Sequence, residues 1–256
     1  MHIPEHLIIQ GDIRGFEHFM ASSNDRLLPS VSIDTVIFSI IESKLNVLVL
    51  KISGTDYQMI PGGYVAKDEE LDDAAYRILN ERTGISNLFL EQFYTSGRVN
   101  RATDIRLKEI LENSGYVMPE GNWFEQRFIS VCYYALIDSS MVKPNSPSGF
   151  FEYRWLDPDS LPVLFFDHNM LINRAVERLR IDMDQKLVGF NLLNETFTMN
   201  ELQSVYEAVF QNKFSRANFQ RKMLSLDILE RLDKLYTGGS HKAPYLYRFK
   251  QSQVGF

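Results

Sequence analysis

The segment Pro61–Ile85 combines a glycine turn, an acidic lead-in and a helix predicted over residues 68–83, a combination suited to binding a phosphate-bearing ligand. Positions 78, 81 and 82 share one face of that helix, because residues three and four apart lie on the same side. Such a face binds Mg²⁺ when it presents several carboxylate oxygens. Here it presents Ile78, Glu81 and Arg82, and the charges of the last two cancel. The sequence therefore predicts no metal site and no metal-assisted catalysis on this face.

The same segment resembles the Nudix box, whose pattern is Gly-x5-Glu-x7-Arg-Glu-apolar-x-Glu-Glu-x-Gly-apolar. The pattern is matched, without a break in the spacing, at Gly63, Glu69, Arg77, Leu79, Glu81, Gly84 and Ile85. Ile78 and Arg82 depart from it, and both stand where active members of the family carry metal-binding carboxylates. The resemblance therefore implies the Nudix scaffold without its hydrolase chemistry, with no catalytic residue, no metal ligand and no cofactor.

Several roles stay open for the charged residues in and after this segment. Glu69 and Arg77 could pair across the junction of loop and helix as a structural contact. Glu81 could bind a ligand hydroxyl, although an ion pair with Arg82 is favoured. A replacement metal ligand could come from the polar stretch 99–126, at Glu112, Glu120 or Glu125. The alternative function is therefore a Nudix hydrolase of a nucleoside diphosphate derivative with an unusual metal site.

Apolar alternation and turn residues predict strands through most of the first part of the chain. The strands are predicted over residues 32–41 and 45–52, which form a hairpin, over 57–65, and within 88–99, 128–138 and 149–157. Helices among these extended segments indicate an α/β (α+β) domain. The period then changes, and a helix with an apolar face is predicted over 167–184.

The composition indicates a folded protein. Hydrophobic residues make up 45% of the chain, which excludes a largely disordered one. A single cysteine, Cys132, is expected as a buried strand thiol and provides no disulfide framework, as in a reducing compartment. No apolar run approaches the roughly 18 residues of a membrane span, and no secretory leader is recognised. We therefore expect a cytoplasmic protein with no membrane partner.

The net charge of −6 hides a basic C-terminal part. Residues 211–250 contain nine Lys or Arg against three Asp or Glu, which gives +6 there and −12 in the remainder. A basic segment on an acidic protein is typical of binding to a polyanion. A solvated charged face would give the same count.

The basic part also has the order of a winged helix-turn-helix: helix, short turn, helix, hairpin. Thr198 and Glu201 form a predicted capping box at the first helix, and Ser215 is a possible cap of the second. In the second helix, Phe219, Met223 and Leu226 recur at helical spacing and are predicted to face the core.

The opposite face of that second helix carries side chains that read base edges or contact phosphate. The predicted DNA-binding residues are Arg216, Ala217, Asn218, Gln220, Arg221, Lys222 and Ser225 on the helix, with His241 and Lys242 in the wing. The alternatives are an amphipathic helix with solvated charges and a winged helix that binds protein.

A degenerate Nudix domain followed by a winged helix resembles the Nudix-related bacterial transcription regulators, from about Ser32 to Lys250. That family includes the NAD-metabolism regulator that senses ADP-ribose and the arabinose-responsive regulators. The segments around the Nudix box, FFDH and GFNLL look closest to the sugar-responsive branch. The resemblance implies a homodimer on a double-stranded DNA operator. The resemblance also implies that the affinity of this homodimer for the operator changes when a sugar such as arabinose, or an ADP-ribose-like nucleotide, binds the Nudix pocket.

This resemblance also predicts how the chain is divided: an N-terminal extension (1–30), an α/β/α Nudix sandwich with a mixed sheet (31–165), a linker helix (166–186) and a C-terminal winged-helix domain (187–256). The candidate effector-binding residues are Gly63, Tyr64, Arg77, Glu81, Tyr94 and Arg98. The helix predicted over 167–184 would be the lever between the two domains, although plain core packing would also explain its apolar face.

Overall fold

The computed structural model describes residues 26–52, 55–86, 88, 90–99, 101, 126–143, 151–185, 192–235 and 243–250. Its strands are β1 (Leu27–Ile41), β2 (Lys44–Ile52), β3 (Gln58–Met59), β4 (Gly62–Ala66), β5 (Glu91–Ser96), β6 (Ile129–Ile137), β7 (Phe151–Leu156), β8 (Phe197–Thr198), β9 (Leu229–Lys234) and β10 (Tyr245–Phe249). Its helices are α1 (Leu71–Thr83), α2 (His168–Gln185), α3 (Met199–Phe210) and α4 (Arg216–Ser225), with short 3₁₀ turns at Ser139–Met141 and Pro158–Ser160.

Strand β1 is the centre of a mixed sheet that has seven strands in the described part of the chain. It runs parallel to β6, and its other edge is divided between two antiparallel partners, β4 near its start and β2 near its end. Strand β5 extends the sheet beyond β6, while β3 and β7 pair with β2. Between the two partners of β1, Thr35 donates from its backbone N–H and its hydroxyl to the Pro61 carbonyl, at 2.8 and 3.1 Å.

The two faces of the sheet are covered by different helices, because alternate residues of a strand point to opposite faces. Ile33 and Ile37 of β1 pack on the side of α1, whereas Val36 and Phe38 pack on the side of α2. Strand β6 alternates in the same way, and Cys132 on it is a buried thiol whose pKa burial raises to about 12. The predicted α/β/α sandwich with a mixed sheet is confirmed.

Helix α1 is shorter at its start than predicted. It begins at Leu71 rather than at residue 68, because the Glu69 side chain accepts a hydrogen bond from the Ala66 N–H (2.6 Å) and holds the preceding residues in a turn. Its end is as predicted: Gly84 has a φ of 71°, and its N–H donates to the Asn80 carbonyl. Glycine adopts this left-handed conformation without strain.

Helices α3 and α4 and the hairpin β9–β10 form the predicted winged helix. Thr198 and Glu201 make both bonds of the capping box, whereas Ser215 precedes α4 without a side-chain cap bond. The short strand β8 pairs with β10, giving a three-stranded sheet that sequence patterning missed because two residues have no readable period.

The core on the α2 side continues from the sheet into the winged helix, through residues such as Leu179, Met183, Leu202 and Val209. The predicted domain limits remain predictions, since residues 1–25 and 186–191 lie outside the described part of the chain. None of the described helices is long and apolar enough to cross a membrane.

Candidate functional site

Arg77 joins helix α1 to strand β4 and to the turn before the helix. Its Nε and Nη2 donate to Glu69 at 2.9 and 2.5 Å, and Nη2 also donates to the Tyr64 carbonyl at 2.9 Å. Its Nη1 donates to Glu81 at 3.1 Å. The predicted Glu69–Arg77 pair is confirmed, and the Arg77 hydrogen bonds lower the pKa of Glu69. The favoured partner of Glu81 is corrected from Arg82 to Arg77, because neighbouring helix residues point in different directions whereas residues four apart meet.

Ile78 is a core residue in the middle of the Nudix box. Its side chain is 1% exposed and lies among the residues that pack α1 on the sheet. A Cβ placed on Gly63 would be 2.9 Å from Ile78 Cγ1, so the glycine is what lets the strand and the helix approach this closely. In this arrangement position 78 faces packed apolar atoms and offers no oxygen to a metal ion.

Arg82, the other departure from the Nudix pattern, is turned back over the glycine turn. Its Nε donates to the Gly62 carbonyl at 3.1 Å, and its own carbonyl accepts from the Tyr153 hydroxyl at 2.5 Å. Burial lowers the pKa of Arg82, although an arginine remains charged at neutral pH.

No group of three or more His, Cys, Asp or Glu side chains among the described residues is placed to hold a metal ion. The proposed replacement ligands Glu112, Glu120 and Glu125 lie outside the described residues.

A buried charged network lies where the partners of β1 diverge, beside the Nudix box. Asp34 on β1 accepts hydrogen bonds from Arg101 Nη2 and from the Ser130 hydroxyl (2.6 Å). Arg101 also donates from Nε to Asp167 at 2.7 Å, and the Ser96 hydroxyl donates to the same carboxylate at 2.5 Å. The network thus joins three strands to the residue that precedes helix α2.

Electrostatics within this network keep Asp34 ionised. Burial by itself would raise the pKa of Asp34, but Arg101, His168 and Ser130 together hold it well below its usual value. His168 Nδ1 accepts from the Ile60 N–H at 3.2 Å, and Nε2 lies 3.5 Å from Asp34. Burial lowers the pKa of His168, which is therefore neutral at pH 7 with its proton on Nε2.

Sequence reasoning did not select this network. Its only signals were polar residues inside apolar strands, Asp34 within SIDTVIF and Ser130 within FISVCYY. A buried polar side chain in such a run requires a hydrogen-bonding partner. The partner residue, Arg101, is distant in sequence and cannot be located from strand periodicity.

The candidate effector-binding residues divide into two groups. Gly63, Tyr64, Arg77 and Glu81 lie together on β4 and α1. Tyr94 lies on the α2 side of the sheet, where the Arg174 guanidinium is 4.5 Å from the centre of its ring, and Arg98 is exposed after β5. Within the described residues, no hydrogen bond or ring contact joins Tyr94 or Arg98 to the first group.

Tyr64 lies over the buried network. Its ring centre is 5.5 Å from that of Phe128, and burial, followed by the charge of Asp34, raises the pKa of its hydroxyl. The charges of Arg82 and Arg101 act on the same hydroxyl in the opposite direction. Tyr64 therefore marks the place where the Nudix box and the buried network meet.

A polar groove elsewhere on the molecule contains none of these candidates. It lies between the β1–β2 turn and helix α3, and its lining residues include Lys44, Asp157, Glu207 and Lys213. The Nudix box and the groove are therefore separate features.

Helix α4 presents the polar face predicted from the sequence. Phe219 and Met223 are buried, while Arg216, Ala217, Asn218, Arg221, Lys222 and Ser225 are exposed and Gln220 is half-buried. Arg221 Nη2 donates to Asn218 Oδ1 at 2.9 Å, so these two side chains lie side by side on the exposed face. His241 and Lys242 of the predicted wing lie outside the described residues.

The turn between α3 and α4 is held by Glu207. Its carboxylate accepts from Lys213 Nζ (2.7 Å), Gln203 Nε2 (2.8 Å) and the Phe214 N–H (3.0 Å). These bonds, that of Lys213 first, lower the pKa of Glu207 to about 2. Glu207 of α3 is thereby bonded to both Lys213 and Phe214 of the turn that precedes α4.

Two family descriptions match this chain: the NUDIX domain over residues 32–178 and the NrtR DNA-binding winged helix domain over residues 189–249. Among curated proteins, the ADPR responsive transcriptional repressor NtrR of Acinetobacter baylyi is 28% identical over 234 residues, which cover 89% of this chain and 85% of that protein.

Solved structures give the same picture of the fold. Shewanella oneidensis NrtR matches with a TM-score of 0.63 at 26% identity, covering 88% of this chain and 96% of that one. The same protein complexed with a 27mer DNA matches with a TM-score of 0.63 at 27% identity, covering 86% of this chain and 93% of that one. A MutT/nudix family protein from Enterococcus faecalis shares the fold, with a TM-score of 0.62 at 20% identity, covering 91% of this chain and 93% of that one.

Proposed function

Since the chain belongs to the Nudix domain family and carries the winged helix of the Nudix-related transcription regulators, we propose that it binds a DNA operator. In this proposal ADP-ribose, or a closely related nucleotide, changes the affinity of the protein for the operator and is not hydrolysed. The observation that carries this proposal is the exposed face of α4, where Asn218 and Arg221 stand together on a helix anchored by Phe219 and Met223.

The DNA-binding part of the proposal follows from side-chain chemistry. Arginine can bind guanine, and asparagine adenine, through paired hydrogen bonds in the major groove. Arg216 and Lys222 flank these residues and are suited to phosphate contacts, which position a protein on DNA without reading sequence. The relative from Shewanella oneidensis has been crystallised with a 27mer DNA, which supports the same role here.

The choice of effector rests on the relatives. The Acinetobacter baylyi relative is named for its response to ADPR. This favours a nucleotide effector over the arabinose-like sugar that the segments FFDH and GFNLL indicate. The Nudix box supports binding without hydrolysis, because Ile78 is buried and Arg82 brings a positive charge to the face that would hold a cation.

Helix α2 is the connection between the two parts in this proposal. Asp167, next to its first residue, belongs to the buried network, and Arg180 near its other end donates to the Val209 carbonyl of α3 at 3.1 Å. An effector shifts the equilibrium between two arrangements only by its difference in affinity for them. A ligand that rearranges the network would change the position of α2, and with it that of the winged helix.

The direct test uses a fluorescent DNA duplex from the region upstream of the protein's own gene. We expect binding that weakens steeply with salt, as phosphate contacts require, and that changes when ADP-ribose is added. Arg221→Ala should weaken specific binding by about 1–3 kcal/mol, whereas Arg154→Ala, at an exposed arginine of the Nudix domain, should leave it unchanged. Equal binding by Arg221→Ala and the wild type would contradict the role of α4.

The same preparation separates the alternatives. Sedimentation should show two copies of the chain on the duplex, as expected of a homodimer. A response to L-arabinose but not to ADP-ribose would assign the protein to sugar sensing and leave DNA regulation intact. Turnover of ADP-ribose with Mg²⁺ or Mn²⁺ would instead establish the hydrolase alternative.

A further inference from the structure

Arg82 has hydrogen-bonding capacity that the described residues do not use. A guanidinium carries five N–H donors. One of them, on Nε, bonds to the Gly62 carbonyl, and the two terminal nitrogens have no hydrogen-bond partner within the described residues. The residue is half-buried, and its terminal nitrogens are not among the fully enclosed unpaired atoms of the described residues. Among the described residues these donors are therefore left to bond water or an anionic ligand.

The positive charge of Arg82 is likewise not balanced by an ion pair with any residue that the structure describes. Glu81, the nearest carboxylate in sequence, is bonded to Arg77, which also takes both oxygens of Glu69. No carboxylate of the described residues lies within ion-pair distance of Arg82. As far as the chain is described, the end of α1 therefore offers a cationic group that is open to an anion.

The second arginine near Tyr64 is not open in this way. Arg101 is bonded to Asp34 and to Asp167, and its side chain is 6% exposed. Both Arg82 and Arg101 act electrostatically on the Tyr64 hydroxyl, so they lie around the same small region. Of the two, only Arg82 has donors available to a ligand in the described structure.

The location of Arg82 indicates what it would bind. It occupies one of the Nudix-box positions at which active members carry a metal-binding carboxylate, and it bonds to the backbone oxygen of the glycine turn. A metal ion there would hold a diphosphate, whereas a guanidinium can hold one directly, since its planar fork matches two phosphate oxygens. A divalent cation would be repelled.

We propose that Arg82 binds the diphosphate group of the effector in place of a metal ion, so that the protein recognises its nucleotide without a divalent cation. This proposal rests on the proposed function and adds to it the group that is recognised and the residue that does so. A neutral sugar would gain little from this charge, and Arg82 would thus select diphosphate-bearing ligands over free sugars.

The test is titration calorimetry on the full chain with ADP-ribose, ADP, inorganic pyrophosphate and L-arabinose, each in EDTA and in Mg²⁺. We expect the affinity of wild type for the three diphosphates to be the same, within error, in both buffers. Arg82→Gln should weaken all three by about tenfold or more, as loss of a charge-assisted paired hydrogen bond implies. Arg154→Gln, which removes the same charge from an exposed pair with Glu152, should bind as the wild type does.

Two further variants separate binding from folding. Arg82→Lys retains the charge but not the planar fork, so it should bind diphosphate with an affinity between those of the wild type and Arg82→Gln. Arg82→Glu should bind no diphosphate in EDTA. Thermal unfolding of each variant verifies that it is folded. If Arg82→Gln is not folded, the role of Arg82 is tested by comparing the diphosphate affinity of Arg82→Lys with that of the wild type.

The outcomes distinguish this proposal from the proposed function. If ADP-ribose binds the wild type and Arg82→Gln equally, or binds only with Mg²⁺, the role proposed for Arg82 is wrong. The proposed function as a transcription regulator is not affected by that result. If ADP-ribose does not bind but pyrophosphate binds in an Arg82-dependent way, the diphosphate site stands and ADP-ribose is not the effector. If no diphosphate binds, the role of Arg82 and the choice of ADP-ribose as effector are both wrong, and operator binding is decided by the DNA assay alone.

Discussion

The Tyr206 hydroxyl donates a hydrogen bond to the backbone carbonyl of Met183 at 2.5 Å, which ties the first helix of the winged helix to the last turn of helix α2. Both residues are buried in the core that continues from the sheet. Nearby, the Tyr134 hydroxyl of β6 donates to Asp182 at 2.7 Å. Sheet, α2 and winged helix are therefore connected through adjacent residues of one helical turn.

Tyr206→Phe should weaken the coupling between the Nudix domain and the winged helix while lowering the stability of the protein only slightly. The ring is kept, with its contacts to Phe210 and Phe219, and the loss of one hydrogen bond should lower the free energy of unfolding by about 1 kcal/mol. We expect near-normal operator binding and a smaller change in that binding on adding ADP-ribose. Tyr245→Phe, at an exposed ring of β10, is the control. An unchanged response in Tyr206→Phe would exclude this contact as a coupling element.

Gly63→Ala should destabilise the Nudix domain through a clash with Ile78. The added methyl group would lie 2.9 Å from Ile78 Cγ1, and overpacking of this kind costs about 1–3 kcal/mol. Chemical denaturation should show that the double variant Gly63→Ala/Ile78→Ala loses less free energy of unfolding than the two single variants lose together, because the smaller side chain at position 78 relieves the clash. Additive effects would show that the strand and the helix separate freely at this point.

Asp34→Asn should be more destabilising than its conservative size suggests. It removes the charge that faces Arg101 inside the protein, and the loss of one partner of a buried ion pair costs about 3–5 kcal/mol. Arg101 keeps Asp167, so the lower end of that range is expected. Glu152→Gln breaks an exposed pair with Arg154 and should cost about 1 kcal/mol or less. Equal effects in urea denaturation would mean that the Asp34–Arg101 pair contributes no more than a surface contact.

His168 should make the protein less stable as the pH falls below its ordinary pKa of 6.5. Its folded-state pKa is lowered by burial, so between that value and 6.5 the unfolded chain binds the proton and the folded protein does not. The stabilising contribution is therefore complete above 6.5 and is lost as the pH falls towards the folded-state pKa. The slope reaches about 1.4 kcal/mol per pH unit.

This slope is measured by chemical denaturation at closely spaced pH values between pH 7.5 and pH 5, so that a change in the free energy of unfolding within about one pH unit is resolved. His168→Gln has no imidazole to titrate and should have a shallower dependence of stability on pH than the wild type. If the two curves are parallel throughout, His168 does not titrate differently in the folded and unfolded states.

What could be predicted from sequence is the part of the structure encoded by local spacing. The capping box at Thr198, the glycine cap at Gly84 and the buried positions Phe219 and Met223 of α4 follow from helix geometry, and the structure has them where expected. Helix geometry also explains why the predicted Glu81–Arg82 pair is wrong, since adjacent helix residues do not face each other whereas Arg77 and Glu81 do.

Contacts between distant segments could not be predicted in this way. Asp34 on β1 and Arg101, which follows β5, meet although β6 lies between these two strands, so their contact depends on the order of the strands in the sheet. The sequence predicts Tyr94 beside the Nudix box because its strand comes next in the chain, whereas its ring packs on the α2 side of the sheet. Strand periodicity identifies faces but does not say which helix covers each face.

The burial of Ile78 limits where a metal-binding carboxylate could be introduced on helix α1. A mutation that restored a carboxylate at position 82 would leave any metal ion with Glu81, already bonded to Arg77, and nothing at position 78. A carboxylate at position 78 would have to enter the packed layer against Gly63, at a large cost in folding free energy. Neither substitution by itself would therefore complete a set of metal-binding carboxylates on this helix face, and the one at position 78 would also destabilise the layer between α1 and β4.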